Sequence, residues 1–546
     1  MGGTRADNRI VRPGTDPPGL TEHSRRTRQR GAPRFRRATM QHPGDPADAF
    51  NRGNACLERG DAATAVAAFQ RCLELRPDHP ATLFNLANAQ LQAGHAVESA
   101  ETLVRCLRRA PEFGAAHVNL AYVLLRFGML DQARGFATSG VHLMPGSPDA
   151  LLCLAGILHH AGDLAASVAA YRMALRHAPG HAGALSSLGN TLRAMGRLDE
   201  ALAAHDSAIA ATPGSVPDHA MFRFHRATTL LAAGAFTEGW REYEWRWRRA
   251  GHKPRFAAPP WRGQALEGRT ILLHHEQGLG DTLQFVRYAP LVAERGGRVV
   301  LQVQPSLIGL LRALPGVAQV VAHGETPPPF DRHCPLMSLP LAFGTTLDSI
   351  PAAPAYLHAD PARIAQWRQH WRDCRPRHEG PRVGLVWAGL PNLDNWEARL
   401  IGQRRSLGAA DLAGLAGLRG VQFVSLQKDL PPPAVAGLEM IDGMAGMHNF
   451  AETAALVASL DLVISVDTSV AHLAAGLGRP VWLLSRYDGC WRWLRDRADS
   501  PWYPTLRLYR QARPHDWPEV IARVRLDLQR MAGGEARGAG SAGCTG

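Results

Sequence analysis

Residues 185–213 read LSSLGNTLRAMGRLDEALAAHDSAIAATP, a pattern typical of two short helices joined by a turn. Leucines recur at helical spacing through the first half, and Gly189 among them leaves room for a neighbouring helix. Gly196 ends the first helix, while Pro213 ends the second because proline cannot continue a helix. The stretch therefore predicts a helical hairpin.

The hairpin recurs with a fixed period of 34 residues, which is the signature of stacked helical repeats. Both the turn glycine and the terminal proline keep this step through five units: Gly60, Gly94, Gly128, Gly162 and Gly196, with Pro77, Pro111, Pro145, Pro179 and Pro213. A sixth unit follows with a slip, since its turn glycine is Gly234. We predict an α-solenoid over residues 46–250, with a groove suited to a protein or peptide partner.

The sixth unit differs in composition from the others. Its second helix, WREYEWRWRR over residues 240–249, is both aromatic and basic. Such a helix fits either a stacking surface for nucleic acid or a capping repeat whose tryptophans pack on the next domain, and we favour the cap.

The chain has 546 residues and a net charge of +13, and its length suggests about three domains at roughly 100–200 residues each. Residues 1–45 contain ten arginines against four acidic residues, close to half of the excess charge, without apolar periodicity. We predict a disordered tail there and another at 533–546. A basic arm for an anionic partner is the alternative interpretation of residues 1–45.

Two classes of protein are disfavoured by the sequence. No segment approaches the ~20 apolar residues of a membrane span. The eight cysteines are scattered without a CxxC pair, which argues against a zinc site or a disulfide framework. We therefore expect a cytoplasmic protein that has no membrane span, needs no metal or cofactor and binds no nucleic acid.

The second half alternates between buried strands and helices, the pattern of parallel α/β sheets. Strands are predicted at 269–274, 298–303 and 317–321, and the pattern restarts at 382–387, 421–426, 461–466 and 480–484. We predict two Rossmann-like domains over residues 262–350 and 381–532, joined by a linker over 351–380. Open sheets of this kind bind ligands at the carboxyl ends of their strands.

The first group of candidate residues follows the first strand. Gly278 and Gly280 let the backbone approach a ligand, and the helix start favours an anion. Asp281 would repel a phosphate, so it fits a general base facing a hydroxyl or a simple helix cap. The spacing alone slightly favours the cap.

Two further groups lie in the second sheet. Asp467, Thr468 and Ser469 follow a strand and open a helix, and their hydroxyls with the helix N–H groups suit a diphosphate. His472, one turn later, could face a ribose or base or pack in the core. The run 403–406 contains Arg404 and Arg405, and we predict that it lies in a loop. The two arginines form either a phosphate clamp or part of a solvated surface.

These segments resemble the heptosyltransferase-like glycosyltransferases (glycosyltransferase family 9), which have the two-Rossmann GT-B architecture. The resemblance rests on residues 276–290, 383–389 and 461–484, continuing through 491–496 and 500–504. With its repeats, the chain looks like a bacterial tetratricopeptide-repeat glycosyltransferase, similar in architecture to the protein O-GlcNAc transferases.

The resemblance implies a role for each group. Asp281 would be the base that deprotonates the acceptor hydroxyl, and the residues at 467–469 with His472 would bind the donor's nucleotide diphosphate. Arg404 or Arg405 would steady the leaving pyrophosphate, with Lys428 as a weaker candidate. The implied donor is a nucleotide-diphosphate sugar, the implied transfer is inverting and no metal is required.

One departure bears on the acceptor. The family commonly has a lysine after the first strand of the second domain, whereas residues 390–399 here contain none. This departure disfavours a lipopolysaccharide-core acceptor, and the repeats favour a protein or peptide. The alternative function is a repeat scaffold whose transferase half is degenerate.

Overall fold

The computed structural model describes residues 45–214, 217–249, 255–374, 378–389, 395–431 and 434–533. The tails predicted at 1–45 and 533–546 lie almost wholly outside these ranges. By its internal contacts the chain divides into two compact units. The first contains Met1–His225, Trp245–His252 and Asn392–Leu400, and the second contains the rest of the chain.

The first unit is built from paired helices, as the 34-residue period predicts. The pairs are Pro46–Glu58 with Ala62–Leu75, Pro80–Gln92 with Ala96–Arg109, Gly114–Phe127 with Leu130–Leu143, Pro148–His160 with Leu164–His177, and Ala182–Ala194 with Leu198–Ala210. Alanines where the helices cross, such as Ala87, Ala121 and Ala155, are fully buried. Because small side chains let helices approach closely, the core of this unit runs along the stack.

The turn of each hairpin contains the glycine that recurs every 34 residues, and this glycine adopts the left-handed conformation. The φ angle is 79° at Gly60 and 81° at Gly196, with similar values at the three turns between them. Any residue with a Cβ would be strained there, which explains why glycine keeps the 34-residue step through the array.

The sixth hairpin consists of helices Pro217–Ala232 and Phe236–Tyr243, followed by a 3-10 helix at Glu244–Arg248. Trp240 is 2% exposed and makes edge contacts with Phe285 and Trp491 in the second unit, to which it belongs. This burial supports the prediction of a capping element whose tryptophan packs on the α/β domains. The α-helix predicted over residues 240–249 ends at Tyr243 in the structure, and the 3-10 helix follows it.

The first α/β sheet has four parallel strands in the order β3-β2-β1-β4. They are β1 Thr270–His274, β2 Arg298–Val303, β3 Val317–Ala322 and β4 Arg332–Pro335. The intervening helices are Leu279–Phe285, Ala289–Glu294, Ile308–Leu311 and Leu339–Ala342, with 3-10 turns at Val286–Tyr288, Pro305–Leu307 and Leu336–Ser338. The sequence predicted the first three strands but not β4, whose four residues have no apolar run.

The second sheet has six parallel strands in the order β10-β9-β8-β5-β6-β7. They are β5 Arg382–Val386, β6 Gln422–Ser425, β7 Met440–Asp442, β8 Leu462–Val466, β9 Val481–Ser485 and β10 Leu506–Arg510. The helices are Pro361–Cys374, Trp396–Arg405, Ala409–Leu412, Phe450–Ala458, Ser469–Gly476 and Trp517–Ala532, with 3-10 turns at Ala413–Leu415 and Trp491–Trp493. Strands β7 and β10 were not predicted, whereas the four largely buried strands β5, β6, β8 and β9 were.

The placement of Arg404 and Arg405 in a loop was wrong. Both lie in the last turn of the helix Trp396–Arg405. The ten residues of this helix have no regular apolar stripe, so periodicity gives no helical signal. Tertiary contacts hold it instead, since Leu400 is 2% exposed.

Candidate functional site

The candidate site is built at the carboxyl ends of β5, β8 and β9, which meet at one edge of the six-stranded sheet. The Arg405 side chain donates from Nη1 to the carbonyl of Asp467, at 2.8 Å. This bond joins two groups of candidates that lie 62 residues apart in the chain. A Cβ on Gly389, just beyond β5, would lie 1.9 Å from Arg405 Nη2, so the guanidinium needs a glycine there.

Four arginines surround the loop after β9 and form what we call the arginine cluster: Arg404, Arg405, Arg486 and Arg510. Arg404 and Arg486 each approach Asp488 at 3.3 Å. The Nε atoms of Arg404 and Arg405 and one Nη of Arg486 and of Arg510 are buried without a hydrogen-bond partner among the described residues. Buried donors without acceptors are costly, so the cluster has capacity for an anion.

The electrostatics of the cluster agree with its geometry. Burial lowers the pKa of Arg405, and the nearby Arg486 lowers it further against the opposing effect of Asp467. Burial and Arg495 together lower the pKa of Arg510 to about 10. Because these charges repel one another in a partly dehydrated site, binding of an anion would relieve the repulsion.

The start of the helix Ser469–Gly476 lies beside this cluster. Thr468 is its N-cap residue, in an extended conformation, and its hydroxyl is 3.0 Å from that of Ser465. Among the described residues, no side chain caps this helix start. The first N–H groups of a helix point outward and attract negative charge, and Thr468 and Ser469 lie at this helix start.

His472 is a packing residue in this structure. It is 5% exposed, its Nδ1 lies 2.8 Å from the Tyr503 hydroxyl, and its ring stacks on Trp493 at 5.4 Å. Burial lowers its pKa to about 3, so the ring is neutral. A Cβ on Gly280 would lie 2.8 Å from the ring, so this glycine lets the first candidate loop approach the second.

Asp281 has two contacts that together bear on its role. Its Oδ2 accepts from the backbone N–H of Gly278 at 2.9 Å, which is the capping bond that the sequence suggested. Its Oδ1 forms an ion pair with Arg492, 211 residues away. Each carboxylate oxygen retains a lone pair, so the carboxylate can still accept a proton.

Arg492 is a further candidate site residue, which the sequence motifs did not single out. It is 8% exposed, and its Nε donates to Gln284 Oε1 at 2.6 Å. Burial lowers its pKa, but Asp281, Cys490 and Tyr243 together more than compensate and the net pKa is raised. The surrounding run WRW at 491–493 carried the resemblance, and a single arginine between two tryptophans was the signal available there.

The other candidates lie at different places. Gly278 is the N-cap of the helix Leu279–Phe285 and belongs to the Asp281 loop. Lys428 follows β6, is exposed, and donates from Nζ to the Met447 carbonyl at 3.0 Å. Among the described residues no group of three His, Cys, Asp or Glu could hold a metal ion.

The edge of the four-stranded sheet carries histidines. His274 ends β1, and its Nε2 lies 3.2 Å from Nδ1 of His333 in β4. The neighbouring His275 packs its ring against His323 at 4.7 Å. Burial lowers the pKa of His274 to about 3 and that of His275 to about 4. The rings of His274 and His275 are therefore uncharged at neutral pH, and Arg255 contacts His323 at the same edge.

Models of two families match segments of the chain. Tetratricopeptide-repeat models match residues 57–105 and, in four segments, 25–80, 84–148, 137–182 and 187–250. The model of glycosyltransferase family 9 (heptosyltransferase) matches residues 433–484. That match includes Thr468, Ser469 and His472 but neither Asp281 nor the arginines at 404 and 405.

One curated relative is Protein FlbA of Caulobacter vibrioides, which is 31% identical over 350 residues. The match covers 58% of this chain and 56% of the relative, so the chain spans about half of that protein's length. The described residues contain no helix that combines the length and hydropathy needed to cross a membrane.

Solved repeat proteins resemble only part of the chain. A thermophilic TPR protein of Thermus thermophilus, TTC0263, is 24% identical, with a TM-score of 0.30, and covers 34% of this chain and all of its own. YrrB, a TPR protein with an unusual peptide-binding site, is 22% identical, with a TM-score of 0.27, over 31% of this chain and 88% of its own. The chain contains tetratricopeptide repeats, and its carboxyl-terminal half contains a segment similar to glycosyltransferase family 9.

Proposed function

We propose that the chain is a glycosyltransferase that moves a sugar from a nucleotide-diphosphate donor to a hydroxyl of a polypeptide bound by the repeats. The observation that carries this proposal is the arginine cluster beside the start of the helix Ser469–Gly476. Buried donors without partners at that position suit an anion, and the family 9 match covers the same helix.

The donor side follows from charge. A diphosphate has several oxygens that accept hydrogen bonds, and the arginine forks with the helix N–H groups can supply donors to them. Arg405 is the central member, since its bond to the Asp467 carbonyl fixes the guanidinium at the helix start. These cationic groups would stabilise the negative charge that develops on the leaving diphosphate, so a metal ion is not required.

The acceptor side follows from Asp281. In the proposed step the acceptor hydroxyl oxygen attacks the anomeric carbon, and the bond from that carbon to the diphosphate oxygen breaks. The hydroxyl proton passes to Asp281, and the electron pair of the broken bond leaves with the diphosphate. One displacement of this kind inverts the anomeric configuration.

Arg492 and Gln284 are positioning residues in this scheme. The Arg492 guanidinium bonds both Gln284 and Asp281, so it holds the carboxylate in one orientation. Orientation matters because a general base must lie within hydrogen-bonding reach of the proton that it removes.

The experiment is a comparison of donors and variants of the full chain. We expect one nucleotide-diphosphate sugar of a panel to raise the melting temperature of the purified protein. Mass spectrometry of proteins co-expressed with the chain should then show a sugar mass increment that disappears in Asp281→Asn. If no donor binds and no increment forms, the repeat-scaffold function is the correct one.

A further inference from the structure

A short segment of the chain itself lies on the repeat helices. Residues 395–400 belong to the first unit, together with the repeats. The ring of Trp396 contacts His160 at 5.8 Å and Tyr122 at 6.4 Å between centroids. Leu400 is 2% exposed and joins the hydrophobic core that the second to fourth hairpins form. We call residues 396–400 the docked segment.

The docked segment lies on one surface, formed by the first helix of each hairpin. Tyr122 stands 34 residues after Asn88, which stands 34 after Asn54, so all three share one repeat position. The asparagines are bonded along this surface, with Asn85 donating to Asn54 at 2.8 Å and Asn119 to Asn88 at 2.5 Å. The surface is thus polar in the first hairpins and aromatic where the segment docks.

The contacts of the segment are those of a helical ligand in a groove. Trp396 and Leu400 are four residues apart and share one helical face. Asn395 caps the helix by accepting from the Ala398 N–H at 3.0 Å, and Arg399 donates to the carbonyl of Arg126. A helix that places two apolar anchors, at i and i+4, into a groove is a recurring mode of peptide recognition.

One residue of the docked segment, Glu397, weakens the binding of this segment to the repeat surface. Burial raises the pKa of Glu397, and the Arg249 charge offsets only part of that effect. Glu397 is half-buried, and a carboxylate in a partly dehydrated position is costly, so a peptide with an uncharged residue there would bind the same surface better. Ile401, the next residue along the chain, is 37% exposed.

We propose that the docked segment is an internal ligand of the repeat surface at Tyr122 and His160, and that a polypeptide partner binds there by displacing it. The partner segment is a short helix with an aromatic residue at i and a leucine at i+4, matching Trp396 and Leu400. This inference rests on the proposed function only in taking a polypeptide as the partner of the repeats.

The test uses a fluorescent peptide with the sequence of residues 395–405, in which Glu397 is replaced by Gln, and the full chain. In the wild type the tethered segment competes at a high effective concentration, so the peptide should bind weakly. The double variant Trp396→Ala, Leu400→Ala frees the surface and should bind the peptide at least about tenfold more tightly. The matched control Ile401→Ala, in the same helix but exposed, should bind like the wild type.

A second variant keeps the test informative if the double variant misfolds. The single variant Trp396→Ala removes only the half-buried anchor and keeps Leu400 in the core, so it should bind the peptide more tightly than the wild type and less tightly than the double variant. Equal binding by the wild type and both variants would overturn the proposal. Because the readout is peptide binding, a protein that fails to transfer any sugar can still pass or fail this test.

Discussion

The two sheets of the second unit present opposite chemistry at their carboxyl edges. The four-stranded sheet presents histidines whose buried rings are neutral, with the pKa of His274 lowered to about 3. The six-stranded sheet presents the arginine cluster, which stays cationic and has buried donors without partners among the described residues. Buried neutral imidazoles suit a hydroxyl acceptor, whereas a cationic cluster suits a diphosphate. Asp281, which follows β1, is paired with Arg492, which follows β9.

The largest effect on sugar transfer is expected at Asp281, and this variant tests the difference between the two sheet edges most directly. If Asp281 is the base, Asp281→Asn should reduce sugar transfer by about 10²–10⁴-fold and leave donor affinity unchanged. Single-turnover transfer and calorimetric donor binding measure the two quantities.

The chain supplies a matched control for this variant. Asp411 accepts from the Gly408 N–H at 2.8 Å, the same capping bond that Asp281 makes with Gly278. Asp411→Asn should therefore remove a similar capping hydrogen bond without affecting sugar transfer. Equal loss in both variants would show that Asp281 acts only as a cap.

The next effect is expected at the cationic edge. Arg405→Ala should weaken binding of the nucleoside diphosphate by about 10–100-fold, since hydrogen bonds to charged groups contribute about 1.5–3 kcal/mol. Combining it with Thr468→Ala should weaken binding further. The control is Arg525→Ala, an arginine that donates to the carbonyls of Gly414 and Ala416. Unchanged donor affinity in Arg405→Ala would contradict the donor site.

The buried His274 at the end of β1 leads us to expect that the stability of the fold depends on pH. The pKa of His274 falls from 6.5 in the unfolded chain to about 3 in the folded one, so the unfolded state binds the proton more readily. Stability from this residue is complete above pH 6.5 and decreases as the pH falls, by about 2 kcal/mol at pH 5. Chemical denaturation at pH 7 and pH 5 measures the loss of unfolding free energy between the two pH values. This loss should be smaller by about 2 kcal/mol in His274→Gln than in the wild type. The exposed control His95→Gln should show the same loss as the wild type.

The smallest effect is expected at Lys428. Its ammonium is exposed and bonded to the Met447 carbonyl, so water screens its charge. Lys428→Ala should change donor affinity by less than about threefold, because exposed charge pairs contribute at most about 1 kcal/mol. A loss as large as that of Arg405→Ala would extend the cationic site to β6.

Several elements were predictable because their signal is local. The repeat hairpins follow from a glycine that must adopt positive φ and a proline that ends a helix, and the buried strands β1, β5, β8 and β9 follow from continuous apolar runs. The helix Trp396–Arg405 and the strands β4, β7 and β10 were not predicted. Their residues have weak periodicity, and neighbours distant in sequence stabilise them.

The sequence by itself determined the period of the repeats, the parallel sheets and the loops that carry Asp281, Thr468 and Ser469, since each depends on neighbouring residues. Only the tertiary structure decided which of these groups meet. It paired Asp281 with Arg492 across 211 residues and packed His472 in the core. It also placed Trp396 against Tyr122, because contacts between residues distant in sequence depend on how whole elements pack and leave no local pattern.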